Sequence, residues 1–177
     1  MYYFISDTHF GHANIIKYTN RPFPSIEEMD KTIIQRWNER VDDGDIVFHL
    51  GDFCMLKSSE APESRKDAFA YYRNQLKGNI IFIRGNHDGN NKNKSIIESL
   101  VIEHGGHRIY MTHNPKFAKD DFRFNFCGHV HDKWQFQRIG NGKSIIINLS
   151  LEHWDYRPVD INDIMSAYSD WLKSGKR

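Results

Sequence analysis

Five places in this sequence carry nitrogen and oxygen donors of the kind that can hold divalent ions: Asp7 with His9, Asp52, Asn86, His113, and His129 with His131. His87 adds an imidazole beside Asn86. Carboxylates, an amide and imidazoles without a thiolate suit Mn, Fe, Zn or Ni, and the donor types do not choose among these. Each piece is weak alone. Asp-x-His occurs by chance, and Asn-His-Asp is ordinary turn composition. Position joins them, because each group closes an apolar run.

The runs are strands. Tyr2 to Ser6 ends in Asp7-Thr8-His9, Ile46 to Leu50 in Gly51-Asp52, and Ile80 to Ile83 in Arg84-Gly85-Asn86-His87-Asp88. Short, β-branched and unbroken runs read as buried strands. Residues two apart on extended chain point the same way, so Asp7 with His9, and His129 with His131, can each face one point. Between the first three strands lie helices. Ser25-Ile26-Glu27-Glu28 reads as a capping box, followed by the face Ile26, Met29, Ile33, Ile34 and Trp37. Glu63 to Leu76 reads as a second helix. Strand, helix, strand, helix, strand favours a parallel sheet with its site at the carboxyl ends of the strands.

The second half changes character. His107 to Thr112 delivers His113, and Phe124 to Cys127 delivers Gly128-His129-Val130-His131. Gly140-Asn141-Gly142 between two apolar runs marks a hairpin, and Asp160 caps a last helix. Ser95 to Leu100 reads as a short helix, and Phe10 to Pro24 as a loop. His12 and Arg21 lie on that loop. Each reads first as a solvated residue, and they are the two candidates for contact with a substrate. His49, inside an apolar run, reads as a hydrogen-bonded core histidine, and Cys54 and Cys127 read as core.

The order Asp-x-His, Gly-Asp, Gly-Asn-His-Asp, His, Gly-His-x-His resembles the calcineurin-like metallophosphoesterases from Asp7 to His131. The Asn20-Arg21-Pro22-Phe23 loop and the Glu152 to Val159 tail resemble a small stand-alone bacterial or phage branch. The resemblance implies an α/β fold, a four-layer α/β/β/α sandwich of two mixed sheets flanked by helices, in agreement with the strand reading. It implies two divalent metal ions, Mn foremost, one on Asp7, His9 and His131 and the other on Asn86, His113 and His129. Asp52 would bridge them, and His87 would be the catalytic imidazole. Two ions carry +4 against two carboxylates and a bridging hydroxide, a balance near +1 that draws in a phosphate ester. One block departs from the protein-phosphatase branch: where that branch has Asp-Arg after its Gly-Asp, this chain has Met55 and Leu56. A phosphoprotein phosphatase is therefore disfavoured, and Asp88 is left as the group that could orient His87.

The chain has 177 residues, 39% hydrophobic and 27% charged, with 24 basic and 23 acidic side chains. Such a length suits one domain over residues 1–177. The even charge argues against an extensive nucleic-acid surface. No basic region precedes the first apolar run, no run reaches membrane length, and two cysteines do not make a disulfide framework, so a cytoplasmic protein is expected. Oligomeric state is not legible. The chemistry expected is a dinuclear metal-dependent phosphoester hydrolase, with a hydroxide between the ions attacking phosphorus in line and His87 protonating the leaving oxygen. A small phosphodiester, possibly a nucleotide, is the expected substrate. The alternatives are a nuclease acting on DNA or RNA ends and a metal-binding interaction module that has lost catalysis.

Overall fold

The computed structural model describes residues 1–55, 67–90 and 95–175. The expected loop from Lys57 to Pro62 and the expected start of a helix at Glu63 lie outside these residues.

The chain forms two mixed sheets flanked by helices. The first sheet has the order β3-β2-β1-β9, from β1 (Tyr2–Ile5), β2 (Ile46–His49), β3 (Asn79–Phe82) and β9 (Val159–Asp160). Strands β1, β2 and β3 are parallel, with Tyr2 opposite Ile46 and Ile46 opposite Asn79, while β9 runs antiparallel to β1. The second sheet has the order β4-β5-β6-β8-β7, from β4 (Ser99–His104), β5 (His107–Thr112), β6 (Phe124–Cys127), β7 (Phe136–Ile139) and β8 (Ser144–Asn148). Here β5, β6 and β8 are parallel and the outer two strands antiparallel.

Period-two burial decides what each sheet face meets. Phe4, Phe48, Met111, Phe126 and Ile147 point between the sheets, and the Phe4 and Phe126 rings meet edge-on with centroids 5.1 Å apart. Ile164 and Tyr168 of α4 (Ile161–Lys173) join this core. The other face of the first sheet, Tyr3, Ile5 and Val47, is covered by α1 (Ala13–Tyr18), α2 (Ile26–Arg40) and α3 (Ala68–Arg73) through Ile15, Met29, Ile33, Trp37 and Tyr72. The caps are local: the Ser25 hydroxyl accepts from the Glu28 amide, and Asp160 with Asp163 completes a reciprocal capping box.

Two expected elements differ. Ser95 to Leu100 is not helical: 99–104 alternate exposed and half-buried as β4, pairing antiparallel with β5. The loop from Phe10 to Pro24 contains the short helix α1, which seats Ile15 in the core.

The sheets are stitched at the carboxyl ends of their parallel strands. The Ser6 amide donates to the Leu149 carbonyl, Leu149 to Cys127, and Gly128 to His113. That edge collects the side chains singled out above.

Candidate metal centre

Five of the seven candidate ligands sit in the left-handed backbone region: Asp7 (φ 58°), His9 (50°), Asp52 (56°), His129 (72°) and His131 (49°). A non-glycine residue held there costs about 1–3 kcal/mol and persists where the surroundings over-determine it. The segment after β1 is not extended chain, as the two-residue spacing suggested. It runs beside the segment after β2, with Asp7, His9 and Phe10 amides donating to the carbonyls of Gly51, Asp52 and Phe53. Glycine is needed where ligands press on backbone. A Cβ on Gly128 would lie 2.2 Å from Asp7 Oδ2, and one on Gly85 would lie 2.2 Å from Asp52 Oδ1.

The ligand atoms form two groups around Asp52. Asp7, His9 and His131 have donor atoms within 4.8 Å of one another. Asn86 Oδ1 lies 2.9 Å from His113 Nε2 and 2.8 Å from His129 Nδ1. Asp52 Oδ2 faces both groups, 3.7 Å from His9 Nε2 and 3.3 Å from His113 Nε2. Asp7 also closes on Asp52 and His113 within the same 4.8 Å limit. Donors around one ion at about 2.0–2.2 Å stand roughly 3–4 Å apart, the spacing seen here. The strongest sign of fit is polar atoms with nothing to bond. Asp7 Oδ1 and both ring nitrogens of His9 are buried without a hydrogen-bond partner, an expense folded proteins rarely carry without a function for it.

Surrounding groups aim the donors. Asp7 Oδ2 accepts from the Ser150 hydroxyl and the His129 amide, leaving Oδ1 for the centre. His113 Nδ1 lies 2.8 Å from the Leu50 carbonyl, which fixes a proton there and presents Nε2. Asp52 Oδ1 accepts the His87 amide. Asp88 does not orient His87. It is fully buried, and its carboxylate accepts the amides of Asp52, Phe53 and Gly85, tying two strand ends together. His49 bonds Thr8 Oγ1 through Nε2 and is a core histidine, and burial holds its pKa down to about 4. Both cysteines are buried, which pushes their thiols up.

Burial and neighbouring charges compete at these groups. Burial alone would raise the Asp7 carboxyl, but His113, His131 and His9 hold it well below the carboxylate range. Burial lowers His9 to about 3 in spite of Asp7 and Asp52. In His113 burial is outweighed by the Asp52 hydrogen bond and the field of Asp7, and its pKa rises to about 9.

Arg21 differs most from what its place in a polar loop suggests. It is not a solvated loop residue but is 3% exposed. Its guanidinium donates to the Asp7 and Thr8 carbonyls at 2.7 and 3.0 Å and to Glu152 Oε1 at 2.9 Å. Glu152, unnoticed as a site residue, also meets His131 Nδ1 at 3.1 Å. His12 is half-buried beside the centre, its ring 5.4 Å from that of His9. His87 is exposed at the mouth, its ring 5.8 Å from His9. A cavity of about 470 Å³ opens beside Asn86 and His113, lined also by Arg84, Tyr110, Lys116 and Phe117. A larger hollow of about 740 Å³, on the far side of the second sheet, includes none of these ligands.

Two mixed sheets with a cluster of N/O donors at their shared edge define an α/β fold with a candidate metal-binding site. The chain belongs to the calcineurin-like phosphoesterase superfamily, whose domain model matches residues 2–149. An uncharacterised protein of the archaeon Methanocaldococcus jannaschii is 42% identical over 172 residues, covering 92% of this chain and 88% of its own. A crystal structure of a protein of unknown function from Aquifex aeolicus superposes with a TM-score of 0.71 at 26% identity, over 94% of this chain and 98% of the other. With one relative archaeal and one from Aquifex, the comparisons do not single out the bacterial or phage branch. No helix among the described residues is long and apolar enough to cross a membrane.

Proposed function

We propose that this protein is a dinuclear metal-dependent phosphoesterase acting on small phosphodiesters, carried by a single domain over its 177 residues. The observation that carries the reading is Asp52 Oδ2 standing between two ligand groups, 3.7 Å from His9 and 3.3 Å from His113. Asp7, His9 and His131 would hold one ion, Asn86, His113 and His129 the other, and Asp52 both. When bound, two divalent ions supply Lewis acidity toward phosphoryl oxygens and lower the pKa of water.

The chain's own residues do the rest. Two carboxylates leave the centre short of negative charge, which favours an anionic ester. His87, anchored through its amide to Asp52 and open at the mouth, protonates the leaving oxygen. His12 is placed to touch the ester on the side of His9. The cavity beside Asn86 and His113 suits a small ester arm, its volume within the roughly 300–1,000 Å³ of small-molecule sites.

Metal removal tests the reading. Protein stripped by chelator should lose hydrolysis of a nitrophenyl phosphodiester and regain it with Mn. Full activity after verified stripping would refute the mechanism. No turnover with any of Mn, Fe, Zn or Ni would favour the lapsed binding module. Activity confined to polynucleotides and lost with salt would favour the nuclease.

A further inference from the structure

We infer that the buried Arg21–Glu152 ion pair is a positioning device for one ion only, the one proposed on Asp7, His9 and His131. The inference rests on the two-ion reading above.

The pair bonds two of those ligands, Asp7 and His131, and the residue between Asp7 and the third, His9. Arg21 Nη2 and Nη1 bond the carbonyls of Asp7 and Thr8, inside the left-handed turn that carries Asp7 and His9. Glu152 Oε1 accepts from Arg21 Nε and Nη2 at 3.0 and 2.9 Å and meets His131 Nδ1 at 3.1 Å. A carboxylate at Nδ1 fixes that proton and turns the Nε2 lone pair inward, toward Asp7 Oδ1 at 3.9 Å. The side chains of Arg21 and Glu152 are 0% and 5% exposed, so neither charge is there for solvation. Glu152 Oε2 is buried with no partner at all. A buried pair with an unsatisfied oxygen is a poor way to gain stability, and here its outward side-chain bonds end on the metal-facing turn and on His131, save a 3.6 Å contact of Arg21 Nη1 with Met29 Sδ. Among the described residues the other half has no such buried ion pair: His113 is aimed by the Leu50 carbonyl, and Asn86 Oδ1 bonds both His113 and His129.

The device also joins two segments distant in sequence. Phe23 packs edge-on against Tyr156, ring centroids 4.8 Å apart, and the Arg21 guanidinium lies 6.0 Å from the same Tyr156 ring. The loop after α1 and the tail after β8 thus form one bracket behind one half of the centre.

The experiment isolates each ion. Mn is titrated by calorimetry into chelator-stripped His129→Ala protein, which keeps the Asp7–His9–His131 half, and into His9→Ala protein, which keeps the other. Adding Glu152→Gln should raise the Mn Kd about 10–100-fold in the first background and less than about twofold in the second, a difference a double-mutant comparison resolves. The electron spin resonance of Mn-loaded Glu152→Gln should lose the signature of a coupled pair before that of a single ion. Arg21→Lys keeps the charge but cannot span the Asp7, Thr8 and Glu152 oxygens together. It should show the same asymmetry, and it carries the test if Glu152→Gln does not fold. Equal weakening in both backgrounds, no weakening in the first, or no uptake by His129→Ala would overturn the inference while wild-type protein still bound two ions. Wild-type protein that takes up no metal would overturn the two-ion reading itself.

Discussion

The two halves of the centre are built differently. Asp7, His9 and His131 all sit in the left-handed region, and Asp7 and His9 are 0% and 2% exposed. Buried Arg21 and Glu152 back them. In the other half only His129 is left-handed, Asn86 is exposed, and a cavity opens alongside. Strain and burial in the first half mean that its donors are ordered before anything binds, at a stability cost already met by folding. The second half keeps its donors together by hydrogen bonds to Asn86, with His113 buried and Asn86 exposed. On the proposed two-ion reading, the first half is built to hold its ion and the second faces the cavity.

The residue common to both halves is where the contrast breaks most completely. Asp52→Asn replaces a charged bridge with a neutral amide. Elemental analysis should find fewer than two metals per chain, and phosphodiester hydrolysis should fall by roughly 10³-fold or more, in line with losing one of two ions that act together. Two tightly held metals in this variant would show that Asp52 is not shared and that the halves are independent sites.

His87 stands outside both halves and tests the open side. Its contribution as a proton donor should be about 10²–10⁴-fold, and it should depend on the leaving group, since a stable anion needs no proton. His87→Ala should cripple an alkyl phosphodiester, slow a nitrophenyl diester far less, and leave metal content intact. Equal slowing of both esters with both metals bound would rule out the acid role. A lost metal would make His87 part of the binding set.

The contrast between halves was only partly readable from the chain. The strand ends were, because buried parallel strands are unbroken apolar runs and Ile46–Leu50 or Ile80–Ile83 can hardly be anything else. All seven proposed ligands follow such runs, and they converge at one edge. The supports were not. Arg21 and Glu152 are 131 positions apart, and no local pattern marks a polar loop residue as buried by a partner so distant. Asp88 looked like a neighbour of His87 but serves backbone amides of another strand end, a contact only the sheet creates. In β4 the residues Leu100, Val101 and Ile102 are consecutive and apolar, so the alternation of Ser99 to His104 between exposed and half-buried emerges only from pairing with β5. The left-handed turn at Asp7 has no glycine to announce it, because it is held by bonds to the segment after β2 and from Arg21.

Protonation gives the smallest effect and the finest comparison. Each half pairs an imidazole held neutral with one that binds its proton more firmly. Burial lowers His9 and His129. In His131 burial is outweighed by Glu152 and Asp7, and in His113 by Asp52 and Asp7, the latter reaching about 9. The consequences for stripped and loaded protein have opposite signs. A histidine whose pKa is raised by folding stabilises the metal-free fold fully below its unfolded value of about 6.5, and that stability is lost as pH rises through the folded value. The stripped protein should therefore melt progressively lower between about pH 6.5 and 9, the window set by His113. An ion must displace that same proton, so its binding should strengthen by up to about tenfold per pH unit over the window. The rise in melting temperature on adding Mn should grow with pH while the stripped baseline falls. His113→Asn, which keeps a polar group but cannot titrate, should flatten the His113 part of both slopes. A stripped wild-type protein whose melting point is constant or rises from pH 6.5 to 9, relative to His113→Asn, would show that His113 is not held protonated by Asp52 and that the open half waits for its ion with a free imidazole, as His9 does.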